Sequence, residues 1–106
     1  MGNAVIYIVK SWIPKEYAGE FNAWYDGTHM PQVAKASGCA KARRFRAVQT
    51  DDKFMYMAIY EFPDMDAFLR YENSEAKKEL VADFRKNYGG KAETKKYVWE
   101  QVYEVV

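Results

Sequence analysis

This 106-residue sequence contains one cysteine, one histidine and three prolines, and each scarcity closes off a class of architecture. The lone Cys39 excludes an internal disulfide and any cysteine-based metal cluster, and it fits a reducing cytoplasm. The lone His29 argues against a catalytic metal site, which normally needs three protein ligands. No run of 18 or more apolar residues exists, and the N-terminus lacks a basic region followed by an apolar stretch. Met1-Gly2 suggests myristoylation, but that motif wants Ser or Thr at position 6, where Ile6 stands. Sixteen basic against fifteen acidic residues leave a formal charge of +1, so no global field draws the chain to nucleic acid or an anionic membrane. The chain reads as soluble, unanchored and cytoplasmic, with no nucleic acid and no membrane among its partners.

Aromatics, by contrast, are plentiful at 17% of residues, nine of them tyrosine. A buried tyrosine needs a partner for its hydroxyl, so this supply suits either a polar-studded cavity or a large self-association face. At this length the chain is expected to form one domain, residues 1–106, with a core that needs no staples.

Ala4 to Ser11 is β-branched and aromatic and apolar on both faces, which predicts a strand covered on both sides. Pro14 suits a first helical position, and Tyr17, Phe21, Trp24, Tyr25 and Thr28 follow at helical spacing. Gly27 weakens the last turn, and Pro31 disfavours helical geometry at Met30, so the helix is expected to stop there. A short turn over Gln32 to Ser37 closes at Gly38. Cys39 to Gln49 reads as a basic second strand, joined by a tight polar turn to a third over Lys53 to Phe62, which again has two apolar faces. Asp64 is a reasonable N-cap, Asn73-Ser74 looks like a break or re-cap, and an apolar face then runs from Ala76 to a Gly89-Gly90 stop. Lys96 to Val105 alternates as a last strand.

The order β-α-β-β-α-β predicts an α+β, ferredoxin-like fold: a four-stranded antiparallel sheet with two helices on one face and the first and third strands central. The two strands apolar on both faces are those two. With both helices on one side the other sheet face is bare, which predicts a homodimer packed sheet against sheet.

Candidate chemistry gathers on Phe21 to Pro31. His29 is the one side chain that titrates near neutrality, so it is the candidate general acid or base; its alternative is a helix-end histidine bonded to a loop carbonyl. Asp26 and Tyr25 lie three and four residues earlier, so either can sit beside it, and Asp26 can fix its tautomer. Trp24 is either core or a pocket wall, and Tyr25 either core or a hydroxyl donor. Tyr7 and Tyr60 are candidate cavity hydroxyls that can equally line a dimer interface. Alternation sends Arg43 to one sheet face and Arg44 and Arg46 to the other. This strand carries either charges that discourage aggregation or an arginine, Arg43, that reaches the pocket to hold a carboxylate or enolate oxygen.

The run Glu20-Phe21-Asn22-Ala23-Trp24-Tyr25-Asp26-Gly27-Thr28-His29-Met30-Pro31, continued by Gly38-Cys39-Ala40-Lys41-Ala42-Arg43-Arg44-Phe45, resembles the EthD-like group of the dimeric α/β barrel superfamily. Cys39 stands where that pattern more usually has a bulky apolar residue. The resemblance implies a homodimer with a cofactor-free pocket for a small aromatic, lactone or polyketide-like molecule. It implies proton-transfer chemistry of the isomerase, dehydratase, cyclase or decarboxylase type. The alternative is a non-catalytic small-molecule-binding or degenerate dimeric module. The wider superfamily also contains cofactor-free oxygenases and haem users. RNA binding shares the element order, but the third strand lacks the glycines of the RNP1 pattern.

Overall fold

The structure, a computed structural model, describes residues 2–106; Met1, and with it the reading of the Met1-Gly2 start, lies outside them. Four strands, β1 (Val5–Trp12), β2 (Lys41–Arg46), β3 (Tyr56–Phe62) and β4 (Glu93–Glu100), form one antiparallel sheet in the order β2-β3-β1-β4. The first and third strands are central, as their two apolar faces required. Helices α1 (Ala18–Trp24), α2 (Met30–Ser37), α3 (Met65–Glu72) and α4 (Glu75–Tyr88) complete the fold. The architecture is the expected ferredoxin-like α+β arrangement. No helix of the described residues is long and apolar enough to cross a membrane.

Register decides which side chains meet the helices. Val5, Tyr7 and Val9 of β1 oppose Phe62, Tyr60 and Ala58 of β3, and all six are buried. Ile6, Ile8, Met57, Ile59, Tyr97 and Trp99 take the opposite parity, on the uncovered face, where Trp99 is 59% exposed. Two caps anticipated from the sequence are made: Asp64 Oδ1 accepts from the Ala67 N–H at 2.8 Å and Ser74 Oγ from the Lys77 N–H at 3.1 Å.

The largest departure lies around Pro31. The helix does not stop there: Met30 is fully helical (φ −62°, ψ −44°), and α2 continues to Ser37 where a short turn was expected. Between α1 and α2 the chain makes one π-helical turn, Tyr25–His29, in which the Met30 N–H donates to the Tyr25 carbonyl. A proline ring clashes with the carbonyl four residues back, and the wider turn relieves that clash while the chain keeps its direction. Gly38 then ends α2 in the left-handed region (φ 65°), a conformation glycine adopts without steric penalty, and its N–H donates to the Ala34 carbonyl at 3.1 Å.

Smaller corrections have local causes. Pro14 is extended (ψ 142°) and caps a 3-10 turn, Lys15–Tyr17, so it is not the first helical residue; α1 begins at Ala18. β3 begins at Tyr56, later than Lys53, because the Asp52 carboxylate holds the preceding loop, accepting from the Phe54 N–H at 2.9 Å and from Lys10 Nζ at 2.6 Å. The connection from β2 to β3 is consequently longer than a tight hairpin. β2 is shorter at both ends than Cys39 to Gln49. β4 spans 93–100 and not 96–105, because its partner β1 runs only from Val5 to Trp12; past Glu100 the Gln101 N–H still donates to the Ala4 carbonyl, at 2.8 Å.

Candidate active site

The π turn and α4 supply one wall of a cavity, and the sheet supplies the other. Leu80, Phe84 and Tyr88 recur every four residues along α4, so they share a face. That face meets Phe21, Trp24, Tyr25 and His29 in a nest of edge and tilted ring contacts: Phe84 lies 5.5 Å from the His29 ring and Tyr88 5.0 Å from Phe21. The His29 imidazole stacks on the Trp24 indole at 4.9 Å and 17°, and the Tyr25 ring meets it edge-on at 4.9 Å. His29 is only 8% exposed.

Beside this nest is a cavity of about 220 Å³ opening between α4 and β4. Tyr7, Tyr25, His29, Tyr60 and Tyr71 are among its polar lining residues, and Val9, Val33, Leu80, Val81 and Phe84 among its apolar ones. Tyr7 and Tyr60 lie directly opposite one another on β1 and β3, with ring centroids 6.0 Å apart. Four of the candidates read from the sequence, His29, Tyr25, Tyr7 and Tyr60, line this one cavity.

Electrostatics fix their protonation. Burial, with smaller contributions from Lys96 and Arg44, outweighs the attraction of Asp83 and lowers the His29 pKa to about 4. The imidazole is thus neutral near pH 7, and its Nδ1 is buried without a hydrogen-bond partner. Burial likewise raises the phenols of Tyr7, Tyr25 and Tyr60, and that of Tyr71 to about 12, so all four remain protonated donors. The Tyr60 hydroxyl is buried and interacts with the Tyr25 phenol but makes no hydrogen bond of normal geometry. Unsatisfied buried polar atoms are rare in native proteins, and here two belong to residues that line one cavity.

Three candidates are placed elsewhere. Asp26 does not touch His29: it is held by Arg44, Nη1 to Oδ1 at 3.0 Å, and its side chain is 63% exposed. The π turn sets Asp26 outward while bringing Tyr25 to the imidazole. Trp24 packs behind His29 and is not a wall of the cavity. Arg43 opposes Ile59 on the uncovered sheet face, paired with Glu61 at 3.5 Å, so it cannot reach the pocket. Its neighbour Arg44 points to the helices, lying over the Tyr25 ring at 4.3 Å and the Tyr56 ring at 5.3 Å.

Three cavity residues carried no individual signal in the sequence: Lys77 and Arg85 of α4 and Lys96 of β4. Lys77 and Arg85 share the spacing of Val81 on one helical face, which identifies them once α4 is known to cover the pocket.

A family model described as "Domain of unknown function (DUF4286)" matches residues 4–102, and the chain belongs to that family. No curated protein matches it. An EthD family protein from Bacillus halodurans shares the fold with a TM-score of 0.72 at 19% identity, over 92% of this chain and 99% of the other. An EthD-like protein from Ralstonia eutropha matches at 0.71 and 17%, over 99% and 97% of the respective chains. SnoaB from Streptomyces nogalater, described as a cofactor-independent oxygenase, matches at 0.69 and 16%, over 98% of both. The EthD likeness read from residues 20 to 46 thus extends to the whole fold.

Proposed function

From a chain of the DUF4286 family with this cavity, we propose a small-molecule enzyme in which His29 accepts a proton from the substrate. The observation that supports this best is the neutral imidazole, buried against Trp24 and Tyr25 with an unpartnered Nδ1, on a residue that lines a cavity together with Tyr7, Tyr25 and Tyr60. Removing a proton from the carbon next to a carbonyl, or from a phenol hydroxyl, leaves negative charge on the oxygen. The protonated phenols of Tyr60, Tyr25 and Tyr7 donate to it without reorganising. A base of pKa about 4 is unprotonated throughout the neutral range. Proton transfer to it is assisted by the anion that develops beside it.

The substrate class is a small aromatic, lactone or polyketide-like molecule. An enolate or phenolate is common to the four reaction types, reached by deprotonation in isomerisation, dehydration and cyclisation and by loss of carbon dioxide in decarboxylation, where protonated His29 would return the proton. Deprotonation is also a reasonable first step for a carbanion that goes on to react with dioxygen, a reading favoured by the description of SnoaB. The working form is proposed to be a cytoplasmic homodimer that covers the apolar sheet face around Ile8, Ile59 and Trp99.

The test is His29→Asn assayed by product analysis against a panel of phenolic and lactone compounds. Loss of about 10²–10⁴-fold in turnover is expected for a positioned acid–base group. Retained turnover removes His29 from the mechanism.

A further inference from the structure

The cavity lining is electrostatically one-sided. Overall the chain is balanced, with 16 basic and 15 acidic residues. Yet the lining contains Lys77, Arg85 and Lys96 and no aspartate or glutamate. Register accounts for Lys96: it opposes Val9 of β1, so it projects to the helix side of the sheet, while Lys95 takes the other face. Lys77 and Arg85 reach the same mouth from α4.

These cations are incompletely neutralised. Lys77 is ion-paired to Glu72 and lies 5.2 Å from the Tyr7 ring centroid. Neither Arg85 nor Lys96 has an ion-pair partner among the described residues. They also work against each other: partial burial and the Arg85 charge lower the Lys96 pKa, and partial burial and Lys96 lower that of Lys77. Edge-strand lysines discourage aggregation, and cations in a helix's last turn complement its dipole. Neither role calls for like charges gathered at one opening.

We propose that the cavity takes a single-ring aromatic carboxylate, its carboxylate held at the mouth between Arg85 and Lys96 and its ring against Tyr7, Tyr60 and Phe84. This rests on the cavity being the active site. The planar guanidinium of Arg85 suits the two carboxylate oxygens, and Lys96 adds a point charge. The volume, about 220 Å³, lies below the roughly 300–1,000 Å³ of pockets that enclose drug-sized ligands, which limits the body to one ring. A bound anion also offsets the repulsion among the three cations and favours protonation of His29, as a base needs.

The experiment titrates the full chain with benzoate, salicylate and cinnamate, each beside its neutral amide and beside phenyl phosphate. Calorimetry gives affinity, and the His29 ring resonances show whether the cavity is occupied. Expected are carboxylates that perturb His29 and bind at least about ten-fold tighter than their amides, a ratio that falls to near one in Lys96→Gln or Arg85→Gln. Both side chains are solvent-accessible, and unchanged amide affinity verifies that each variant is folded. Equal binding of amides and carboxylates, with His29 perturbed, overturns the carboxylate preference and leaves the active-site reading standing. Carboxylate binding unaffected by both substitutions overturns the assigned anchor. Tighter binding of phenyl phosphate moves the ligand class to phosphate and overturns the carboxylate. Failure of every compound to perturb His29 overturns both readings.

Discussion

The Trp24 indole and the His29 imidazole stack at 4.9 Å although they are five residues apart. On an α-helix such residues point about 140° from one another. The π turn between them brings the two rings together, and with Tyr25 and Phe84 it seals the imidazole from water on that side.

His29 in the ligand-free protein is expected to titrate with a midpoint near 4, measured from its ring proton shifts. The groups acting on it are Asp83, which favours the cation, and Lys96 and Arg44, which oppose it, all weaker than burial. Trp24→Ala admits water to one ring face and moves the midpoint up. A wild-type midpoint near 6.5 contradicts this account of the site.

The same shift sets an acid limb of stability. Between about pH 4 and 6.5 the unfolded chain binds the His29 proton and the native state does not, so stability rises with pH across that window. The contribution, about 2–3 kcal/mol, is present in full above pH 6.5 and lost as pH falls to about 4. Urea unfolding of wild type and His29→Asn at pH 4 and pH 7 measures it: the variant should lack this part of the slope.

Arg44 and Asp26 are joined at 3.0 Å but are unequal partners, with side chains 13% and 63% exposed. Arg44→Ala is expected to cost about 1–3 kcal/mol, because the guanidinium packs over Tyr25 and Tyr56. Asp26→Asn should cost less than about 1 kcal/mol and leave the His29 midpoint unmoved. A large shift of that midpoint in Asp26→Asn would restore Asp26 as the orienting carboxylate.

Gly27 lies in the π turn at ordinary negative φ, with open space where a Cβ would stand. Gly27→Ala should therefore stabilise the protein by about 0.5–1 kcal/mol through the lower entropy of the unfolded chain. A decrease in thermal midpoint would show that the turn needs glycine's freedom.

Ile59 sits on the uncovered sheet face between Ile8 and Arg43. In sedimentation equilibrium the wild type should run at twice the 12.4 kDa chain mass, and Ile59→Lys at the monomer mass, since it sets a second cation directly opposite Arg43 on a face that must be desolvated. A monomeric wild type at micromolar concentration rules out the homodimer.

The sequence by itself determined the element order, the central positions of β1 and β3 and both serine- and aspartate-capped helix starts. Those follow from local rules: side-chain alternation, helical spacing and the bonding needs of a helix's first N–H groups. It also marked His29 and the tyrosines around it, because their chemistry is distinctive wherever they fall. Tertiary structure decided what alternation leaves open. Arg43 and Arg44 differ by one residue, so one lies on the bare face and the other under the helices, and only packing says which. It also carried the helix through Pro31: the proline rule weighs one backbone clash, whereas the fold sets against it the packing of Trp24, Tyr25, His29 and Phe84. Lys77, Arg85 and Lys96 lie up to 19 positions apart and look like ordinary surface charge until α4 and β4 bring them to one opening.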